Sequence, residues 1–157
     1  MSQFTPTEKT KVRRKADRAH YDRELIYRIL DEAFVCHVGF VVDGMPFVVP
    51  TNYVRVGDKL FLHGSPASRL MKTLASGAPF CLSVTLLDGI VFAPSAIGHS
   101  VNYRSVVVMG KAEVVTEPER SLAVAQSSRS LLRRVIATRA STAGFPLSEY
   151  KSAPESL

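Results

Sequence analysis

The sequence predicts a small, mainly β domain: an antiparallel barrel with flanking helices. Two stretches of strand-like residues are each split by Asp-Gly, at Asp43-Gly44 and Asp88-Gly89, the strongest short hairpin signal. The β-rich runs between residues 34 and 115 are short and closely spaced, about seven in all. A single helical segment interrupts them, whereas a parallel sheet needs a helix at each crossover. The length, 157 residues with 46% apolar and 22% charged, is that of one domain with one sizeable core. It excludes a mainly disordered chain, a fibrous repeat and a disulfide-stapled mini-protein.

In chain order, residues 1–20 are polar and charged and read as a loose basic arm. Asp22 is an N-cap for a helix to about Ala33, with Leu25, Ile26, Ile29 and Leu30 as its buried stripe. Phe34 to Val42 and Pro46 to Val54 then form a hairpin through Asp43-Gly44. Pro50 cannot donate a ladder hydrogen bond, which implies an edge, a bulge or another element packed alongside. Lys59 to His63 is a third strand. Residues 63–77 follow, with Ser65 as N-cap, Pro66 as first helical residue, Leu70, Met71 and Leu74 as inner face and Gly77 as stop. Phe80 to Leu87 and Ile90 to Ala93 make the second Asp-Gly hairpin. A loop from Pro94 to Val101 leads to strands over Asn102–Met109 and Lys111–Val115, broken at Gly110. Leu122 to Ala140 reads as an amphipathic helix, with a loose tail after it. The division is thus an arm (1–20), a barrel (21–117) and a C-terminal helix with tail (118–157).

The longest apolar run, Phe34 to Val42, falls far short of the ~20 residues a membrane helix needs. No apolar stretch follows the basic start, so no secretion leader is expected. Cys36 and Cys81 sit inside apolar runs and read as buried free thiols in a reducing, cytoplasmic compartment. The net charge of +6 lies at the ends, because residues 21–119 sum to −2 while each flank carries +4. A neutral body makes nucleic acid an unlikely partner, although Lys9, Lys11, Arg13, Arg14 and Lys15 could touch phosphates.

Three stretches could carry chemistry. Ser65, Ser68, Arg69 and Lys72 surround a helix start, where hydroxyls, cations and free N–H groups would hold a phosphomonoester. The same residues also describe a capped surface helix with two ordinary basic side chains. Val49-Pro50-Thr51-Asn52-Tyr53 offers backbone freed by proline plus an amide and hydroxyls, as a flat polar ligand requires; an edge strand facing water reads the same way. His99, Asn102, Tyr103, Arg104 and Ser105 mark a pocket rim at a loop–strand junction, and His63 at a strand end could face that pocket. No His/Cys cluster has metal-ligand spacing, and neither GxGxxG, a Walker loop nor GxSxG occurs. With no acid/base pair evident, the chemistry of an enzyme here belongs to a cofactor.

Phe34–His37, the run Asp43-Gly44-Met45-Pro46-Phe47-Val48-Val49-Pro50-Thr51-Asn52-Tyr53, His63-Gly64-Ser65 with Ser68-Arg69, and Asn102–Val106 resemble the FMN-binding split-barrel superfamily. The nearer likeness is to its flavin-nucleotide-binding branch, related to pyridoxamine 5′-phosphate oxidase and the nitroimidazole reductases. The resemblance spans roughly residues 13–117 and implies a split barrel, a homodimer and FMN in the clefts between two barrels. It implies Val49, Pro50, Thr51 and Asn52 along the isoalloxazine ring and His63 near it. Ser68 and Arg69, with Lys72, would hold the phosphate, and Arg104 and Ser105 would reach the flavin from a later strand. Tyr103 and His99 would lie on the substrate side. The implied activity is hydride transfer, from NAD(P)H or a substrate, through FMN to a small organic acceptor or O₂. The alternative is a module of the same fold that holds flavin or haem without turnover. The absence of tryptophan and the serine-rich end depart from the family pattern.

Overall fold

The computed structural model describes residues 3–115 and, for the backbone alone, residues 135–145. Asp22 caps the first helix, α1 (Arg23–Glu32), by accepting a 2.9 Å hydrogen bond from the Leu25 amide. The predicted apolar stripe turns inward, and Ile26, Ile29 and Leu30 are buried. Six strands follow: β1 (Val35–Val42), β2 (Met45–Val56), β3 (Lys59–His63), β4 (Pro79–Val91), β5 (Ser100–Val114) and β6 (Val135–Phe145). Helix α2 (Arg69–Ala75) lies between β3 and β4. All pairings are antiparallel in the order β1-β2-β3-β6-β5-β4, and β4 pairs with β1 to close a barrel.

Strand alternation decides what each residue faces, because residues directly opposite across antiparallel strands share a side. Cys36, Val38 and Phe40 on β1 are buried with Leu82, Val84, Val106 and Val108. Leu70, Met71 and Leu74 of α2 join the same core, as do the buried residues of α1. His37, Gly39 and Val41 therefore look outward, opposite Pro50, Val48 and Pro46 of β2.

Asp43 (φ 50) and Gly44 (φ 76) both adopt left-handed backbone, as the β1–β2 turn requires. The second Asp-Gly does not turn the chain. β4 runs straight through Asp88-Gly89, paired with β5 on both sides of a register shift between Leu87 and Gly89. A continuous partner strand converts the dipeptide into a bulge. Gly110 likewise lies inside β5, paired with Phe80 and Ala140, rather than between two strands. Two expected pairs of short strands are therefore two long ones.

The helix expected over Leu122–Ala140 is also corrected. Residues 135–140 begin β6, and residues 122–134 lie outside the described residues. β6 pairs with both β3 and β5, whose free edges are satisfied only by a strand. Its β-branched and small residues suit that role better than their helical periodicity suggested. The barrel thus takes a strand from beyond residue 117.

The arm is not loose where it is described. The Phe4 amide donates to the Tyr21 carbonyl, and the Tyr21 hydroxyl bridges the Thr10 carbonyl and the Val12 amide. Phe4 packs edge-on against Tyr27 under the Arg23 guanidinium, and Thr10 is buried. Aromatic residues on both sides anchor the charged arm to α1.

Candidate functional site

The proline-interrupted wall lies on an edge. β2 pairs with β1 through Met45–Asn52 and with β3 only from Tyr53 to Val56, so Pro50 sits where its missing N–H removes no inner ladder bond. The four residues of the wall do not face one way. Pro50 and Asn52 stand exposed on the outer surface beside His37 and Val35, while Val49 and Thr51 share the inner side with Val38 and Cys36. The Cys36 Sγ lies 3.5 Å from the Thr51 carbonyl, to which it donates, and burial pushes its thiol up to about 12. The Tyr53 hydroxyl donates to the Leu30 carbonyl at 2.6 Å, and burial raises its pKa. Cys36 and Tyr53 are therefore structural groups that stay protonated at neutral pH.

At the start of α2 the cap is Ser68, not Ser65, and the helix begins at Arg69, not Pro66. Ser68 Oγ accepts from the Met71 amide at 3.2 Å, whereas Ser65 Oγ accepts from the Ala67 amide in the preceding turn. The Ser-Pro-Ala turn delays the helix by one bend. Capping consumes part of the anion-binding capacity foreseen for this end, which leaves Arg69 as the main positive group. Its guanidinium lies 4.2 Å above the Phe47 ring of β2, a cation–π contact, and makes no ion pair among the described residues. Phe47 in turn stacks on Phe40 at 5.6 Å. Lys72 is exposed one turn on.

His63 ends β3, and its Nε2 is buried without a hydrogen-bond partner among the described residues. An orphaned ring nitrogen at a strand end is the kind of group a bound molecule satisfies. A Cβ at Gly64 beside it would stand 2.9 Å from the Met71 methyl, so a larger residue there would displace the end of that side chain.

The later rim is built differently. Arg104 donates to both oxygens of Glu32 at 2.7 and 2.8 Å and to Asp88 at 2.8–3.1 Å. These bonds engage four of its five N–H groups and raise its pKa, and they hold the Glu32 carboxyl below its ordinary value. Arg104 thus joins the end of α1 to the β4–β5 ribbon, with one N–H left over. Ser105 is buried between Thr85 and Phe145 in the sheet. Tyr103 and His99 are exposed, and His99 Nδ1 accepts from the Ala93 amide at 3.3 Å.

A groove of about 860 Å³ runs along the outer face where the arm crosses the barrel. Its lining includes Thr7, Thr10, Gly39, Phe47, Cys81 and Met109. Cys81, expected to be buried, is only half-buried because it alternates outward opposite Gly39 and Met109. Phe47, which places Arg69, was not singled out from sequence; its alternation with Val49 and Thr51 was the available signal. Among the described residues no group of three or more His, Cys, Asp or Glu side chains could hold a metal ion, and no helix is long and apolar enough to cross a membrane.

A barrel of this topology, with an arginine at the first turn of the inserted helix and a proline-containing strand beside it, defines a split-barrel protein. The sequence profile of the pyridoxamine 5′-phosphate oxidase family matches residues 22–151, and the chain belongs to that family. The match takes in the C-terminal stretch that, read alone, departs from the family pattern. Among solved structures, the flavocytochrome Anf3 from Azotobacter vinelandii is 32% identical with a TM-score of 0.78, covering 97% of this chain and 79% of that one. The FAD and heme binding protein from Mycobacterium smegmatis is 29% identical with a TM-score of 0.73, covering 87% and 76%. A putative 5-nitroimidazole antibiotic resistance protein from Bacteroides thetaiotaomicron shares the fold at 20% identity and a TM-score of 0.61, covering 81% and 87%. Comparison with the curated proteins finds no match.

Proposed function

We propose that the chain is a flavin-binding oxidoreductase that holds FMN, with Ser68 and Arg69 at the phosphate and Lys72 as a second cation. The observation that carries this reading is the Arg69 guanidinium, placed over Phe47 and free of any carboxylate among the described residues. A cation fixed in place without an anion is a prepared phosphate site. Family membership and the flavoprotein relatives named above support the flavin itself.

FMN, when bound, would supply two-electron chemistry between a donor such as NAD(P)H and a small organic acceptor or O₂. This chain's own residues bind and orient it. Pro50 and Asn52 offer an edge free of ladder bonds, with Val49 and Thr51 behind them, and the His63 Nε2, without a partner among the described residues, provides a further polar contact. Arg104 acts chiefly by positioning, since its carboxylate partners hold the strand that carries Ser105; Tyr103 and His99 stand where a substrate would approach. The working unit is a cytoplasmic homodimer. Leu87, Ile90 and Val101 on the β4–β5 ribbon, with Phe92 and Ile97 in the segment that connects the two strands, are exposed apolar side chains that a second copy would cover.

The test is an absorbance spectrum of the purified protein after incubation with FMN or FAD and desalting. Retention of the flavin band near ~450 nm with FMN in preference to FAD is expected. Loss of both flavins on desalting would overturn the reading.

A second reading adds haem to the flavin. The two solved relatives near 30% identity are a flavocytochrome and an FAD and heme binding protein, and both align along most of this chain.

A further inference from the structure

We propose that the groove beneath the arm binds a free medium-chain carboxylate, with the acyl chain along the barrel wall and the carboxylate held by Lys111 and Lys9. Strand register makes the floor. Val48, Gly39, Cys81 and Met109 stand opposite one another across β2, β1, β4 and β5, and alternation turns all four outward. Pro46 opposite Val41, and Pro79 opposite Lys111, belong to the next outward row, and both rows line the groove. Lys111 is the one charged side chain in either row. Cys81 adds a thiol whose pKa burial raises, so it stays protonated at neutral pH. Four neighbouring strands at ~4.8 Å spacing make this apolar floor roughly 14 Å across.

The floor dips at Gly39. Its backbone is not left-handed, and a Cβ there would meet only the Cys81 and Phe47 carbonyl oxygens at 3.6 and 3.9 Å. Neither backbone strain nor packing demands glycine at this position. A glycine inside a strand weakens it and marks a place where something comes close to the backbone. Here it opens a trough between Val48, which is 68% exposed, and half-buried Cys81. Met109 at the far side carries a flexible thioether that adapts to what lies against it.

Two cations serve this floor. Lys111 stands at its β5 end, and Lys9 comes from the arm that crosses it. Lys9 sits in a turn where the Thr10 amide donates to the Thr7 carbonyl at 3.0 Å and the Thr7 amide to Thr10 Oγ1 at 2.8 Å. Buried Thr10 fixes that turn on the barrel. Glu8, the one acidic residue of the lining, pairs with Arg13 at 3.2 Å, and neither lysine has an ion-pair partner among the described residues. An elongated apolar trough with unmatched positive charge fits an amphiphile with one anionic head. Its length suits a chain better than a single ring, and its rows offer a polar heterocycle almost nothing to hydrogen-bond. The exposed apolar patch around Leu87 and Val101 lies at the opposite end of β4 and β5, so the two surfaces are separate.

The experiment is a calorimetric titration of the full-length purified protein with decanoate below its micelle concentration. Wild type is expected to bind one decanoate per chain. Hexanoate should bind at least about tenfold more weakly, because each buried methylene contributes several-fold. The double variant Lys9→Gln/Lys111→Gln should weaken decanoate at least about tenfold, and Gly39→Leu should weaken it by filling the trough. Decyltrimethylammonium should bind wild type more weakly than decanoate does, and the gap should close in the double variant. FMN retention and circular dichroism, unchanged in every variant, show that the fold and the α2 site survive, and the decanoate result stands whether or not FMN binds. Absence of saturable decanoate binding would overturn the proposal. So would binding that neither the double variant nor Gly39→Leu weakens, since the chain would then lie elsewhere. Sedimentation of the protein with phosphatidylglycerol vesicles, in place of decanoate binding, would make the occupant a membrane and overturn the free carboxylate.

Discussion

Two regions of the barrel carry the same parts, an arginine and an Asp-Gly pair, and use them for opposite ends. Where α2 meets β2, Asp43-Gly44 turns the chain sharply, and Arg69 lies on an aromatic ring with its charge unmatched among the described residues. In the β4–β5 ribbon, Asp88-Gly89 is absorbed into a bulge, and Arg104 is enclosed by two carboxylates, one of them from that same Asp-Gly. An arginine whose counter-charges are built into the protein holds the fold together. One supported by a neutral ring keeps its charge for something else. Residue type alone does not separate binding from structural cations; the neighbours do.

That contrast can be broken in graded steps. The largest effect is expected from Arg69→Ala, which should weaken FMN binding about 10- to 30-fold, as loss of a charged phosphate contact does, while the melting temperature stays within about 1–2 °C. Equal loss of stability and binding would erase the distinction. Arg104→Ala should do the reverse, because it leaves Glu32 and Asp88 facing each other without their shared cation. It should cost about 1–2 kcal/mol, or roughly 3–6 °C in a thermal melt, and change the FMN dissociation constant less than about threefold. The two Asp-Gly pairs should separate in the same assay. Gly44→Ala forces a side chain into φ +76° and should cost about 1 kcal/mol, whereas Gly89→Ala meets no atom within 4 Å at a backbone angle open to any residue and should stay within about 0.5 kcal/mol.

The smallest effect concerns pH and is a matter of sign. Arg104 holds the Glu32 carboxyl below its ordinary 4.5, so the stability this pairing adds is present above that value and is lost as pH falls through the lowered one. Glu32→Gln lacks the contribution at every pH. Melts of both proteins at pH 7 and pH 3 should therefore show a difference at the higher pH that narrows at the lower.

The first half of the fold was legible because its signals are local. Asp22 caps its helix, Asp43-Gly44 turns, and Ile26, Ile29 and Leu30 point inward as their spacing demanded. The later strands were misread where the deciding partner is remote. Whether Asp88-Gly89 turns depends on β5, and whether residues 135–140 extend depends on β3, some 75 residues earlier. The site follows the same division. Ser68 and Arg69 could be picked out as candidates to hold an anion from their position before an apolar face. Neither the ring beneath Arg69 nor the carboxylates around Arg104 could be, since Phe47, Glu32 and Asp88 become neighbours only in the folded chain.

The closing strand has a consequence for how this protein is made. β3 is complete at His63, yet its partner β6 begins at Val135, so at ~5–20 residues per second the ribosome takes roughly several seconds to supply it. During that interval β3, joined by β5 once residues 100–114 have been made, presents an unpaired edge next to an apolar interior, the condition under which nascent chains associate. Barrel closure is thus a late, long-range event, and the yield of soluble protein depends on how well those edges are shielded until the final strand arrives.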